Sequence, residues 1–295
     1  MGAKKKAKPA MAPTHSAMAS VRAMRTATKK YFMVKGVVRI VSADPLSVAI
    51  DVAQEAGALL MEFLHGPLNI TQKSRRADLV TDADRASEKL ILERLRRDFP
   101  NSTIVGEETG THAGTSDDRW YVDPLDGTTN FAHGYPMFCV SIGYELRGEL
   151  VAGVIFAPHL NELYAAELGG GATLNGRALR VSGIDTLGDG LLCTGFRPAD
   201  FARNGENFKI MSELGQAVRR DGSAALDLAA VAAGRFDGFW EFDLHSWDVA
   251  AGVPIIREAG GTVTAIDGSE FSVTSSSVLA TNGKIHEEMR EALRC

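Results

Sequence analysis

The sequence lacks the features of a secreted, zinc-bound or membrane-spanning chain. Cys139, Cys193 and Cys295 are its only cysteines in 295 residues, odd in number, widely spaced and without a Cys-x-x-Cys pair. Neither a disulfide framework nor a zinc site is indicated, and a reducing compartment fits. No apolar run reaches the roughly 20 residues needed to cross a bilayer. His133, His159 and His245 do not have the helical or finger-like spacing of paired ligands. They read as structural, with His245 the exception to watch. Gly169-Gly170-Gly171 lacks the Lys-Ser/Thr ending of a phosphate-binding loop and reads as a turn. Acidic residues are missing altogether from residues 1–43, which hold ten of the 32 basic ones, so the body beyond has 22 basic against 37 acidic side chains. Such a body repels nucleic acid and free phosphate esters alike, and only bound divalent cations would reverse that field locally.

What is present is a globular composition, 45% apolar and 23% charged, long enough for one large domain or two tightly joined halves. Residues 1–43, rich in Ala, Lys, Ser, Thr and Met, read as a basic tail, disordered or weakly helical. The tail has the acid-poor character of an organelle transit peptide. A true start at Met33 and a nucleic-acid-binding arm are the other readings. The rest divides into an N-terminal half, 44–184, and a C-terminal half, 185–295.

Asp44 or Ser47 can cap a helix to about Leu64, with Val48, Val52, Ala56, Leu59, Leu60 and Phe63 at helical spacing. A short strand follows over 70–74. Thr81 opens a second helix that buries Leu90, Ile91 and Leu95, and Asp82 and Asp84 read as its cap and first-turn residues. Thr103 to Val105 forms a short strand, followed by Gly106-Glu107-Glu108. Phe138 to Leu146 and Leu150 to Phe156 pair as a hairpin through Arg147-Gly148. Further strands are expected over 162–167, 179–182, 191–194, 236–241 and 262–266. Helices are expected over 205–214, from Ser223 to Gly234, and from Ser246 to Ala259. Hairpin strands interspersed with helices imply a layered mixed α/β protein of the α+β kind.

The stretch Trp120-Tyr-Val-Asp-Pro-Leu-Asp-Gly-Thr-Thr-Asn-Phe131 carries the chemistry. Trp120 to Val122 read as the end of a buried strand. Asp123 closes it, Pro124 stops it, and Asp126-Gly127 turns the chain. The two carboxylates leave one strand end together, a spacing suited to a hard cation such as Mg²⁺ that keeps waters and accepts phosphate oxygens. An Asp-Pro-x-Asp-Gly run is also an ordinary tight turn. More carboxylates in matching contexts elsewhere favour the metal reading.

DPLDGTTNF, with GEE upstream and SWDVAAG downstream, resembles the inositol monophosphatase family of Mg²⁺-dependent, lithium-sensitive phosphatases, from about Leu46 to about Ala292. The resemblance implies a layered α-β-α-β-α sandwich of the inositol monophosphatase and sugar phosphatase type, usually assembled as a homodimer, and a cytoplasmic location is expected unless residues 1–43 target an organelle. Two or three Mg²⁺ ions are implied, held by Glu107, Asp123, the Leu125 carbonyl, Asp126 and Asp248. Thr128, backed by Asp78 and Glu107, would orient the attacking water, so Glu107, Thr128 and Asp78 form the catalytic set. Gly127 and Thr128 amides would bind phosphate. Gly222, Ser223, Ala224, Glu241 and Asp248 would meet the rest of a small phosphate monoester. Asp221 departs from the apolar residue of some members. The implied reaction is hydrolysis of inositol 1-monophosphate, with histidinol phosphate and fructose 1,6-bisphosphate as alternatives within the family. A regulatory role on the transcription machinery is the alternative of another class. No membrane partner is expected, and nucleic acid does not suit the acidic body.

Overall fold

The computed structural model describes residues 30–41, 43–66, 70–72, 79–195 and 201–293. Its helices are α1 (Pro45–Leu64), α2 (Asp82–Asp98), α3 (Thr128–Ala132), α4 (Phe201–Leu214), α5 (Ala224–Ala232), α6 (Ser246–Val249), α7 (Gly252–Glu258) and α8 (His286–Ala292). The larger sheet has eight strands. From one edge they are Arg177–Ala178, Gly171–Leu174, Glu162–Glu167, Glu149–Ala157, Cys139–Leu146, Asp118–Asp126, Thr103–Gly106 and Gly110–His112. The smaller has five, in the order Ala217–Arg219, Leu191–Thr194, Gly238–Phe242, Ser277–Thr281 and Thr262–Thr264.

Strand alternation explains the stacking, because successive side chains leave a strand on opposite faces. Trp120, Val122, Val140 and Ile142 face α1 and α2 in one core. Cys139, Ile155 and Tyr164 face α5 and α7 in a second core, shared with Cys193, Phe239 and Ala280 of the smaller sheet. Leu192, Trp240 and Leu279 point the other way, into a third core with Met211 of α4 and Met289 of α8. The result is α1 and α2, the eight-stranded sheet, α5 to α7, the five-stranded sheet, then α4 and α8. This is the layered α-β-α-β-α architecture. The Trp120 ring sits 5.0 Å from Phe99 and 4.5 Å from Tyr144, an aromatic cluster that fixes the central strand against α2.

The basic tail needs correction at its end. Lys30–Val34 and Val37–Val41 pair as an antiparallel hairpin, and Phe32 and Val34 are buried in the first core. Aromatic residues before and β-branched residues after Lys35-Gly36 supply the strand propensity, and Lys35 and Gly36, both at positive φ, make the tight turn. Residues 1–29 lie outside the described residues. The central strand also differs from expectation. It resumes after Pro124, and Asp126 pairs with Cys139 across an irregularity between Asp123 and Asp126. A proline has no N–H to give a ladder and is tolerated at such a bulge. The strand expected over 179–182 is replaced by the short Arg177–Ala178, α4 begins at Phe201 rather than Gly205, and the cap of α6 is His245, one residue before Ser246. The hairpin through Arg147-Gly148 forms as expected. Among the described residues no helix is long and apolar enough to cross a membrane.

Candidate active site

The site collects at the bulged end of the central strand. Asp123 is 2% exposed, and its Oδ1 accepts the Leu125 N–H at 3.0 Å. Burial, then the like charges of Glu107, Asp126 and Asp248, push its carboxyl well above the usual range. Asp126 shares the strand end with Asp123, whereas Glu107 and Asp248 come from other segments of the chain, so the fold brings the four acidic residues expected to hold metal into one electrostatic neighbourhood. Burial also raises Asp126, although its Oδ2 accepts the Ser223 hydroxyl and the Ala225 N–H, each at 2.7 Å. The buried Cys139 thiol lies 3.9 Å from the same oxygen. Burial and the two aspartates hold that thiol protonated, well above its ordinary pKa.

Asp248 reaches the cluster because α6 lies against the larger sheet. The Ser141 hydroxyl donates to the Trp247 carbonyl at 3.3 Å. A Cβ on Gly153 would stand 2.1 Å from the Ala251 carbonyl oxygen, so only glycine allows this approach. Asp248 Oδ2 accepts the His245 N–H at 2.7 Å, and the His245 ring lies 4.6 Å from Trp247. Gly127 turns the chain into α3 at φ 92, and a Cβ there would meet the Met137 carbonyl oxygen at 2.6 Å.

Thr128 Oγ1 lies 3.0 Å from the Leu125 carbonyl oxygen and 3.0 Å from Asp84 Oδ1. Asp78, the expected partner of Thr128, falls outside the described residues. Asp84, expected to be only a first-turn residue, does cap α2, accepting the Thr81 N–H and hydroxyl on Oδ2. Its other oxygen serves Thr128. Burial raises the Asp84 carboxyl, against the lowering effect of those hydrogen bonds.

Two further residues of α2 went unseen in the sequence. The Ser87 hydroxyl donates to the Pro124 carbonyl at 2.9 Å. Glu88, 1% exposed, accepts the Glu108 N–H at 2.8 Å and the Thr109 N–H at 2.9 Å. The loop carrying Glu107 is thus held from behind, with the Glu107 N–H also donating to the Val122 carbonyl at 3.2 Å. A signal for all three existed. Asp84, Ser87 and Glu88 fall on the same helical stripe as Ile91, Leu92 and Leu95, and polar residues on a buried stripe need partners.

The residues expected to meet the substrate lie beyond Asp126. Ser223 caps α5. Glu241 is 6% exposed on the strand Gly238–Phe242, and a Cβ on Gly195 would fall 2.4 Å from its carboxylate. Asp227, buried in the first turn of α5, is raised well above the usual range by burial and then by Asp221, Glu241 and Asp126. The acidic region therefore extends from Asp123 past Glu241.

Among the described residues, no group of three or more His, Cys, Asp and Glu side chains is set to hold a metal ion as it stands. The chemistry of the cluster nonetheless fits a hard divalent cation. Its donors are all oxygen, and the leading influences on Asp123 are burial, three carboxylates and one backbone N–H, with no cationic side chain. A buried group so burdened is relieved by a proton or by a cation.

Comparison with known proteins shows which family the chain resembles over most of its length. The model of the inositol monophosphatase family matches residues 43–295. An inositol-1-monophosphatase of Synechocystis sp. is 45% identical over 253 residues, covering 84% of this chain and 88% of that protein. A Pseudomonas aeruginosa protein named Nus factor SuhB is 43% identical, covering 81% and 92%. The solved structure of inositol monophosphatase from Anabaena (Nostoc) sp. aligns with a TM-score of 0.76 at 43% identity, covering 84% of this chain and 94% of that one.

Proposed function

This chain belongs to the inositol monophosphatase family, and from that premise we propose that it is a Mg²⁺-dependent phosphate monoesterase that converts inositol 1-monophosphate to inositol and phosphate. The observation that carries the reading is the convergence of Glu107, Asp126 and Asp248 on the buried Asp123, beside the Thr128 and Asp84 pair. Glu107, Asp123, Asp126, Asp248 and the Leu125 carbonyl would hold two or three Mg²⁺ ions. Bound Mg²⁺ would neutralise phosphate charge and acidify a water.

The chain's own residues do the rest. Asp84 accepts a hydrogen bond from the Thr128 hydroxyl, which leaves a Thr128 lone pair to receive a hydrogen bond from the attacking water and orient it. Glu107, braced through its loop by Glu88, stands ready to take that water's proton. The Gly127 and Thr128 amides would bind phosphate oxygens. Glu241 would accept a hydroxyl of the leaving alcohol, and Ser223 and Ala224 would line its other side. No covalent phosphoenzyme is needed, because attack comes from water.

We further propose a homodimer, inhibition by lithium, and a cytoplasmic location unless residues 1–43 direct the chain to an organelle. Phosphate release from inositol monophosphate, histidinol phosphate, fructose 1,6-bisphosphate and adenosine bisphosphate, each with and without Mg²⁺, tests the reading. Asp126→Asn should lower turnover by at least about 10- to 100-fold. Equal rates for the native protein and this variant at limiting Mg²⁺ would reject the site. The name of the P. aeruginosa relative supports a second, binding role on the transcription machinery. Capture of RNA polymerase by the full chain and by a chain lacking residues 1–43 tests it.

A further inference from the structure

Asn130 is the next-to-last residue of the central motif, and its side chain joins two loops from distant parts of the chain. Nδ2 donates to the Met137 carbonyl at 2.6 Å and to the Asp221 carbonyl at 2.8 Å. Both amide hydrogens are used. The first bond closes the turn after α3. The second spans 91 residues to the segment Asp221-Gly222-Ser223 at the start of α5. Gly222 takes φ 84, and a Cβ there would stand 3.2 Å from Asn130 Nδ2, so the loop backbone lies close on the amide.

Asp126 makes a second join between the same two segments, through the Ser223 hydroxyl and the Ala225 N–H. The two joins differ in kind. Asp126 is a member of the acidic cluster, so its carboxylate responds to whatever charge the cluster holds. Asn130 is neutral, and its bonds to two carbonyls are insensitive to that charge.

We propose that Asn130 is a positioning residue for substrate discrimination. It sets the Asp221–Ser223 loop against the acidic cluster, and through that loop the contacts to the leaving alcohol of a phosphate ester, as distinct from the phosphate. The inference rests on the phosphatase reading above. An amide suits the place because both neighbours are carbonyl oxygens, and a carboxylate there would set negative oxygen against them.

The test compares Asn130→Ala and Asn130→Asp on two esters, inositol monophosphate and p-nitrophenyl phosphate, whose flat leaving group carries no hydroxyls. The expected kcat/KM loss is about tenfold greater for the inositol ester, as loss of an oriented hydrogen bond implies. It should appear mainly in KM, with the Mg²⁺ concentration for half-activity unmoved. Gly222→Ala strains the same joint from the loop side and should act in the same direction, which keeps the proposal testable should Asn130→Ala not fold. Amide hydrogen exchange over Asp221 to Ser223 should quicken in Asn130→Ala. Equal losses on both esters, or a shifted Mg²⁺ requirement, would mean that Asn130 braces the acidic cluster and would overturn the proposal. Unchanged exchange in that loop would overturn it independently of any activity. If the native protein hydrolyses neither ester, the phosphatase reading fails, and the exchange result still decides whether Asn130 holds the loop.

Discussion

Thr128 Oγ1 and Asp84 Oδ1 stand 3.0 Å apart although 44 residues separate them. Asp84 uses its other oxygen to cap α2, so one carboxylate both starts a helix and orients the hydroxyl that faces the site. Asp84→Asn and Thr128→Ala should each lower turnover by about 10- to 100-fold. Because the two act as one unit, the double variant should be little worse than the poorer single one. Multiplicative losses in steady-state kinetics would show that they act separately.

Glu88→Gln tests the support behind Glu107. The glutamine keeps one acceptor for one of the Glu108 and Thr109 amides but turns an NH₂ toward the other. Losing a buried charge-assisted hydrogen bond costs roughly 1.5–3 kcal/mol, which should appear in chemical denaturation. The Mg²⁺ concentration for half-activity should rise about tenfold. A loss of stability with an unchanged Mg²⁺ requirement would separate Glu88 from the site.

Acid should favour the metal-free fold at Asp123. Burial and three like charges raise this carboxyl above the unfolded value, so the folded state holds the proton more tightly. That contribution to stability is full below the unfolded pKa, near 3.8, and is lost as pH rises through the folded value. Thermal melting of native protein and Asp123→Asn, in chelator, should therefore show the variant gaining relative stability from acid toward neutral pH. Saturating Mg²⁺ should remove that advantage. A difference independent of pH would contradict the crowded cluster.

The N-terminal hairpin should stabilise the body. Phe32 and Val34 are 3% and 2% exposed in the first core, and burying a side chain of this size contributes about 1.5–3 kcal/mol. Deleting residues 1–41 should lower the denaturant midpoint clearly. Deleting residues 1–29 leaves those contacts in place and should lower it little. Equal midpoints for the two truncations would show that the hairpin adds nothing.

The limits of sequence reading are clearest along α2. Ile91 and Leu95 announce a buried face by their spacing, and Thr81 with Asp84 announces a cap. Asp84, Ser87 and Glu88 share that face, yet a helical period states only which side is buried. It does not say which carbonyl, amide or hydroxyl will come to meet each polar group. The hairpin at Lys30 to Val41 was obscured differently. Its strand pattern is present, but the acid-poor composition of the whole segment outweighed a local alternation of only ten strand residues.

Local chemistry alone was enough to mark Asp123-Pro-Leu-Asp-Gly as a strand end turned by glycine, because proline and glycine act through the nearest few residues, whereas Glu107 and Asp248 become its candidate partners in the sequence only through the resemblance of GEE and SWDVAAG to the family's motifs. Only the tertiary structure decided that Asp84 holds Thr128, that Glu88 supports the Glu107 loop and that Asn130 joins the turn after α3 to the loop before α5. Those partners lie 20 to 91 residues apart. Their meeting depends on how sheets and helices stack, which is set by burial summed over the whole chain rather than by any one segment.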